Sequence, residues 1–343
     1  MEVFMLYHIG LTRMLAGAQM SLPLEKRSRP FALDLLIFLL VSIIAEVPQS
    51  IVSFVYTMIA MLTDPTYYDL IMSGTVDPEA ITEYVYNFMS SLPSLYYAIV
   101  LISTAFMIVA AILYCKLFEK RKAYTLGFTA RGCLPEYLMG IGIGAIMISL
   151  PLAVCIATSS VSLTLTQNAN YPMIALFFLA FLIQGMAEEA LFRGYLMTSL
   201  ARKLKVWPAI LISALFFALF HLGNASFSFV AFLNIFLFGV FAGVFMLKRG
   251  SIWAVGAIHA IWNFFQGNVF GMNVSGIVKF DSVFTSTQSN VGAILHGGDF
   301  GLEGGLGVTV VLLVALLGAL LMPTKKSEHI EESQDDTPET ANN

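Results

Sequence analysis

The sequence predicts an all-α, polytopic membrane protein, a bundle of about eight transmembrane helices, and three observations carry that prediction. Of 343 residues, 58% are hydrophobic and 12% are charged, about half the charged share of roughly 25% found in soluble domains, and the mean hydropathy is +0.80. Apolar runs matching the roughly 20 residues that a helix needs to cross the hydrocarbon core recur at 33–62, 94–115, 134–157, 173–200, 206–222, 228–247, 251–269 and 306–322. Threading the chain through these spans puts 16 of the 18 Lys and Arg on one side, Lys279 alone on the other and Arg193 inside a span. The side rich in positive charge is the cytoplasmic one, so both termini are expected in the cytoplasm, and a wrong number of spans would have scattered this partition.

Composition also excludes some classes of function. The net charge is −4, with acidic residues gathered in the first outer loop (Asp64, Asp69, Asp77, Glu79, Glu83) and the C-terminal tail. No basic stripe suited to nucleic acid is visible. Cys115, Cys133 and Cys155 form no close pair, so neither a CxxC motif nor a disulfide framework is indicated, and all three read as small apolar packing residues.

In chain order, residues 1–30 are a cytoplasmic or interfacial segment, residues 31–322 the transmembrane domain and residues 323–343 a polar, acid-rich tail expected to be disordered. Residues 1–24 lack the pattern of a cleavable signal peptide and are expected to lie as a helix in the inner interface. The first span carries Glu46 and Pro48, and the proline is expected to kink it. Glu46 is a candidate to share a cavity with Glu188. The outer loop 63–92 has room for a short surface helix. Arg121 to Phe128 reads as a compact cytoplasmic turn, and Gly140, Gly142 and Gly144 as a small-residue face for close helix approach. No internal repeat of the kind found in many transporters is visible.

The fourth span holds Glu188-Glu189-Ala190-Leu191-Phe192-Arg193. Charged side chains at membrane depth cost roughly 2.5–3.5 kcal/mol each even on gentle insertion scales, and such residues are functional candidates. On a helix Glu189 and Arg193 share a face and can pair, while Glu188, rotated by about 100°, is left for another partner. The fifth span places Phe217 and His221 one turn apart, and the seventh does the same for His259 and Asn263. Lipid offers these groups no hydrogen-bond partner, so the polar faces are expected to converge on Glu188, Glu189, Arg193, His221, His259 and Asn263. One objection stands: Glu188 falls nearer the inner face, whereas His221 falls near the outer end of a short span. Gly223 and Asn224, just beyond His221, suggest a buried break in the helix.

A carboxylate and an imidazole around one water make a general base. Glu188 with His221 would activate the water, and His259 with Asn263 could donate hydrogen bonds to the oxyanion formed when water attacks a carbonyl. Glu189 with Arg193 would be the supporting ion pair. Glu188, His221 and His259 could instead hold a metal such as Zn2+, two His and one Glu leaving a position for water. A metal-free Glu/His mechanism is equally open.

The three motifs, Glu-Glu-x-x-x-Arg, Phe-x-x-x-His and His-x-x-x-Asn, in this order on successive hydrophobic segments, resemble those of the CPBP family of intramembrane proteases. That family includes the CAAX prenyl endopeptidases and bacterial proteins linked to bacteriocin maturation or self-immunity. The resemblance covers roughly residues 125–270. It implies an eight-helix bundle, a catalytic water positioned by Glu188 and His221, an oxyanion hole from His259 and Asn263, and a membrane-associated peptide or protein as substrate. Whether a metal takes part is disputed for the family, although its name says metalloprotease. The Gly-rich stretch 297–305 is similar to one that some bacterial members carry before the last span, and no chemistry is assigned to it. A multi-pass protein of a bacterial cell membrane is the expected setting. Two other classes stay open: a proton-coupled transporter relaying protons through Glu188, Glu189 and His221, and a non-catalytic immunity-like membrane protein.

Overall fold

The computed structural model describes residues 30–72, 78–277, 280–289 and 292–325. The expected N-terminal interfacial helix, Lys279 and the acidic tail lie outside the described residues, as do both termini. Helices dominate, and eight of them carry the architecture, though not as eight equal spans. Among the described residues five are long and apolar enough to cross a membrane: α1 (Phe31–Leu62), α4 (Ser94–Leu117), α5 (Cys133–Ala157), α6 (Tyr171–Ala201) and α8 (Phe229–Arg249). The segment between α1 and α4 contains α2 (Pro65–Met72) and α3 (Pro78–Ser91). The remaining three of the eight, α7 (Val206–Leu219), α9 (Trp253–Phe264) and α10 (Leu306–Leu321), are shorter. At about 1.5 Å per residue they reach about 18–24 Å against a hydrocarbon core of about 30 Å. The expectation of eight full spans is corrected to five candidates, because turns take over where the apolar runs continue: after Leu219 into His221, and after Phe264 into a π-helical turn, Phe265–Val269.

Why α9 sits in the centre follows from its neighbours' glycines. It is buried along its length and packs between α5 and α6. A Cβ on Gly140 would come 2.3 Å from Ala254 O, and one on Gly185 2.5 Å from Ala260 N, so neither neighbour could approach with a larger residue there. Gly144 lies against Ile258 in the same way, but Gly142 faces open space. The predicted small-residue face is therefore Gly140 and Gly144, because a residue two positions on points about 200° away.

A small sheet was not expected. β1 (Val161–Leu165) pairs antiparallel with β2 (Phe284–Gln288), Val161 opposite Gln288 and Leu165 opposite Phe284. It ties the loop after α5 to the loop that precedes α10. Pro48 lies inside the continuous α1.

On the basic-loop side, ion pairs fasten helix ends together. Arg121 bonds Glu119 (3.1 Å), Ser199 (2.9 Å) and both oxygens of Thr125 (3.1 and 3.0 Å). Arg202 also reaches Glu119, at 3.3 Å. Glu119 loses solvent on burial, yet Arg121, Ser199 and Arg202 outweigh that and hold its carboxyl below the usual carboxylate value. The turn predicted after Arg121 is there, a 3-10 turn at Ala123–Leu126 closed by Gly127 at φ +90°. All three cysteines are free.

Candidate active site

α6 does not stay α-helical through the charged motif: after Glu189 it widens into a π-helical stretch, Ala190–Met197. Such stretches are uncommon and recur at functional sites. The Glu189–Arg193 pair still closes, with Nη1 3.0 Å from Oε1 and both side chains fully buried. Glu189 Oε1 also accepts from His259 Nδ1 at 2.9 Å. Glu189 is thus a bridge between the arginine and an imidazole, a larger part than the ion pair expected from sequence. Arg193 lies over the Phe217 ring, 4.2 Å from its centroid, where a cation meets the negative face of the π system.

Glu188 points elsewhere, as its rotation on the helix requires. It is half-buried, accepts from Gln184 Nε2 at 2.6 Å through Oε1, and presents Oε2 3.7 Å from His259 Nε2. Asn263 Nδ2 donates to Gln184 Oε1 at 3.0 Å. A continuous polar chain therefore runs Asn263, Gln184, Glu188, His259, Glu189, Arg193 across α9 and α6.

His221 lies just past the end of α7, and its Nδ1 is 2.8 Å from the Phe217 carbonyl. A carbonyl only accepts, so Nδ1 carries the proton and Nε2 of the neutral ring is left as an acceptor. The same reasoning places a proton on His259 Nδ1, facing the Glu189 carboxylate. The depth objection resolves by counting from the hairpin that joins α6 to α7. Glu188 stands 13 residues before Ala201 and His221 stands 15 after Val206, about 20 and 22 Å from the same turn.

Glu46, Gln184, Glu188, His221, His259 and Asn263 line one cavity of about 210 Å³, with Asn224, Ser275 and apolar residues completing its wall. Glu46 thus shares the cavity with Glu188. Within this cluster Glu188 Oε2, Glu189 Oε2, and Nε and Nη2 of Arg193 are buried without a hydrogen-bond partner among the described residues. The structure brings together all six residues predicted from sequence: His221 and the α6 and α9 residues meet at the cavity, with Glu189 and Arg193 directly behind it. Sequence reasoning missed Gln184 and Ser275. Gln184 had a signal, a polar side chain one turn before Glu188 in an apolar run; Ser275 had none.

Among the described residues no group of three His, Cys, Asp or Glu is arranged to hold a metal ion, and Glu188, His221 and His259 are not such a group.

The fold and the cluster define a helical membrane protein with a buried carboxylate–imidazole cluster beside a cavity. Residues 170–265 match the family model described as Rce1-like, type II CAAX prenyl endopeptidase Rce1-like. That stretch falls within the 125–270 region of motif resemblance and contains all six site residues, so it is this part of the chain that is similar to CAAX-type proteases. No curated protein matches the chain.

Proposed function

We propose that the protein is an intramembrane endopeptidase that hydrolyses a peptide bond of a membrane-associated protein or peptide. The observation that carries this reading is the 210 Å³ cavity in which Glu188 and His221 face the same space beside His259 and Asn263. A water held between the Glu188 carboxylate and His221 Nε2 gives up a proton as its oxygen attacks the scissile carbonyl. The carbonyl oxygen becomes an oxyanion, which Asn263 and His259 stabilise by donation. Donation from His259 Nε2 needs the imidazolium form, in which Glu189 and Glu188 stand against its two nitrogens at 2.9 and 3.7 Å. The proton taken from water passes to the leaving amine as the C–N bond breaks.

CAAX-type processing, cleavage next to a lipid-modified cysteine, is the substrate class the Rce1-like match supports. The cell membrane, with the basic loops cytoplasmic, is the proposed setting. Purified protein incubated with a mixed membrane-peptide library and with prenylated and unprenylated CAAX peptides should cleave, and Glu188→Ala and His221→Ala should not. Turnover retained in both variants would reject the mechanism. The same assay with and without chelator, beside measured metal content, decides whether a bound metal takes part.

A further inference from the structure

The Gly-rich stretch 297–305 turns back into the protein and delivers a carboxylate to the site. Its path depends on left-handed glycines, Gly297 at φ +79° and Gly301 at φ +99°, and a Cβ on Gly301 would come 2.0 Å from Asn273 O. Asn234 on α8 clamps it, donating through Nδ2 to Glu303 O (2.7 Å) and Gly305 O (2.9 Å) while accepting from Thr309 Oγ1 (2.6 Å). Asn273 Nδ2 holds the other end through Asp299 O at 2.7 Å. So fixed, Glu303 accepts from Ser275 N and Ser275 Oγ, both at 2.8 Å and both on Oε2. Oε1 is the oxygen left for the cavity.

That cavity is a second one of about 30 Å³, lined by Glu303 together with His221, His259, Asn263 and Ser275. It exceeds the roughly 10–15 Å³ that one water needs and has the polar lining a water requires. Four of these residues also line the larger cavity with Glu188. The two imidazoles and Asn263 therefore form a partition, with Glu188 on one side and Glu303 on the other.

We propose that Glu303 is a positioning residue of the hydrolytic site, holding a water in the small cavity against His221 and so fixing the ring that faces Glu188. The geometry suits it: a carboxylate oxygen accepts one O–H of that water, and the water stands against the His221 ring from the side opposite Glu188, leaving the Nε2 lone pair to the attacking water. Pinning the loop would not by itself call for a charge, since the two asparagine clamps hold it and Ser275 would donate equally to an amide oxygen. This inference rests on the endopeptidase reading above.

The test is Glu303→Gln and Glu303→Ala in the full-length protein, assayed on the CAAX peptides and the peptide library. The amide keeps the shape and the Ser275 bonds, so Glu303→Gln should melt as wild type does. Its kcat should fall by about tenfold or more with KM nearly unchanged, the signature of an interaction felt in the transition state. Added formate should restore part of the kcat of Glu303→Ala, which a loop-pinning role would not allow. Wild type that cleaves while Glu303→Gln stays within about threefold of it would overturn the role of Glu303 alone. Wild type that cleaves no peptide would overturn the endopeptidase reading and this role with it.

Discussion

Two of the arginine–glutamate assemblies among the described residues, those around Arg121 and Arg193, are built in opposite ways. Around Arg121, on the basic-loop side, the guanidinium finds Glu119, Ser199 and Thr125, and the carboxylate is shared with Arg202. Around Arg193, Nε and Nη2 have no hydrogen-bond partner among the described residues, one oxygen of each neighbouring glutamate is likewise unmatched, and a cavity opens beside them. Buried polar groups are normally satisfied. A saturated network fixes structure, whereas an unsaturated one bordering a cavity holds interaction capacity in reserve for something that enters it.

The sharpest way to break this contrast is Glu189→Ala, since Glu189 belongs to the unsaturated cluster yet is the partner of both Arg193 and His259. Leaving a fully buried guanidinium uncompensated should cost about 3–5 kcal/mol and abolish turnover, read by thermal melting in detergent and by peptide cleavage. Unchanged melting would mean that Arg193 is held by its aromatic neighbours alone. Gly239→Ala should be milder: its Cβ would stand 2.8 Å from Ala214 Cβ and 3.2 Å from Arg193 Nη2, and overpacking of this kind costs about 1–3 kcal/mol. Melting temperature should drop while KM rises little.

The smallest effect is a pH dependence that belongs to the saturated assembly. Because the folded protein holds Glu119 below its ordinary carboxylate value, its contribution is present above the unfolded pKa of about 4.3. It is lost as pH falls through the depressed folded value. Melting curves taken from neutral pH into acid should therefore decline less steeply in Glu119→Gln than in wild type. Parallel declines would remove Glu119 from the account.

Much of the site was legible because charge inside apolar sequence is conspicuous. Glu188, Glu189, Arg193, His221, His259 and Asn263 stand out from runs of Leu, Phe and Ala, and helical spacing was enough to say which of them share a face. The bridge from Glu189 to His259 was not legible, because it depends on how closely α9 nests against α6, which Gly185 permits and no local pattern states. Glu303 was hidden for a related reason: a glycine-rich loop has no periodicity, and its meeting with Ser275 and His221 is made by chain segments far apart in sequence. The eight apolar runs were read correctly as apolar, but hydropathy does not mark where α7 yields to the turn holding His221. The alternation of Ser162 and Thr164 with Val161, Leu163 and Leu165 was a strand signal, masked by its setting between long helices.

The most direct test compares Glu188→Gln with Arg121→Ala, measuring turnover and melting temperature on the same preparations. Glu188→Gln is predicted to melt at or above wild type and to lose about 10²–10⁴-fold in turnover, the range for a missing general base. Arg121→Ala should melt well below wild type and keep its turnover per folded molecule. Glu188→Gln that turns over like wild type, or Arg121→Ala that melts like wild type but is inactive, would contradict the division between a cluster kept for chemistry and a network kept for structure.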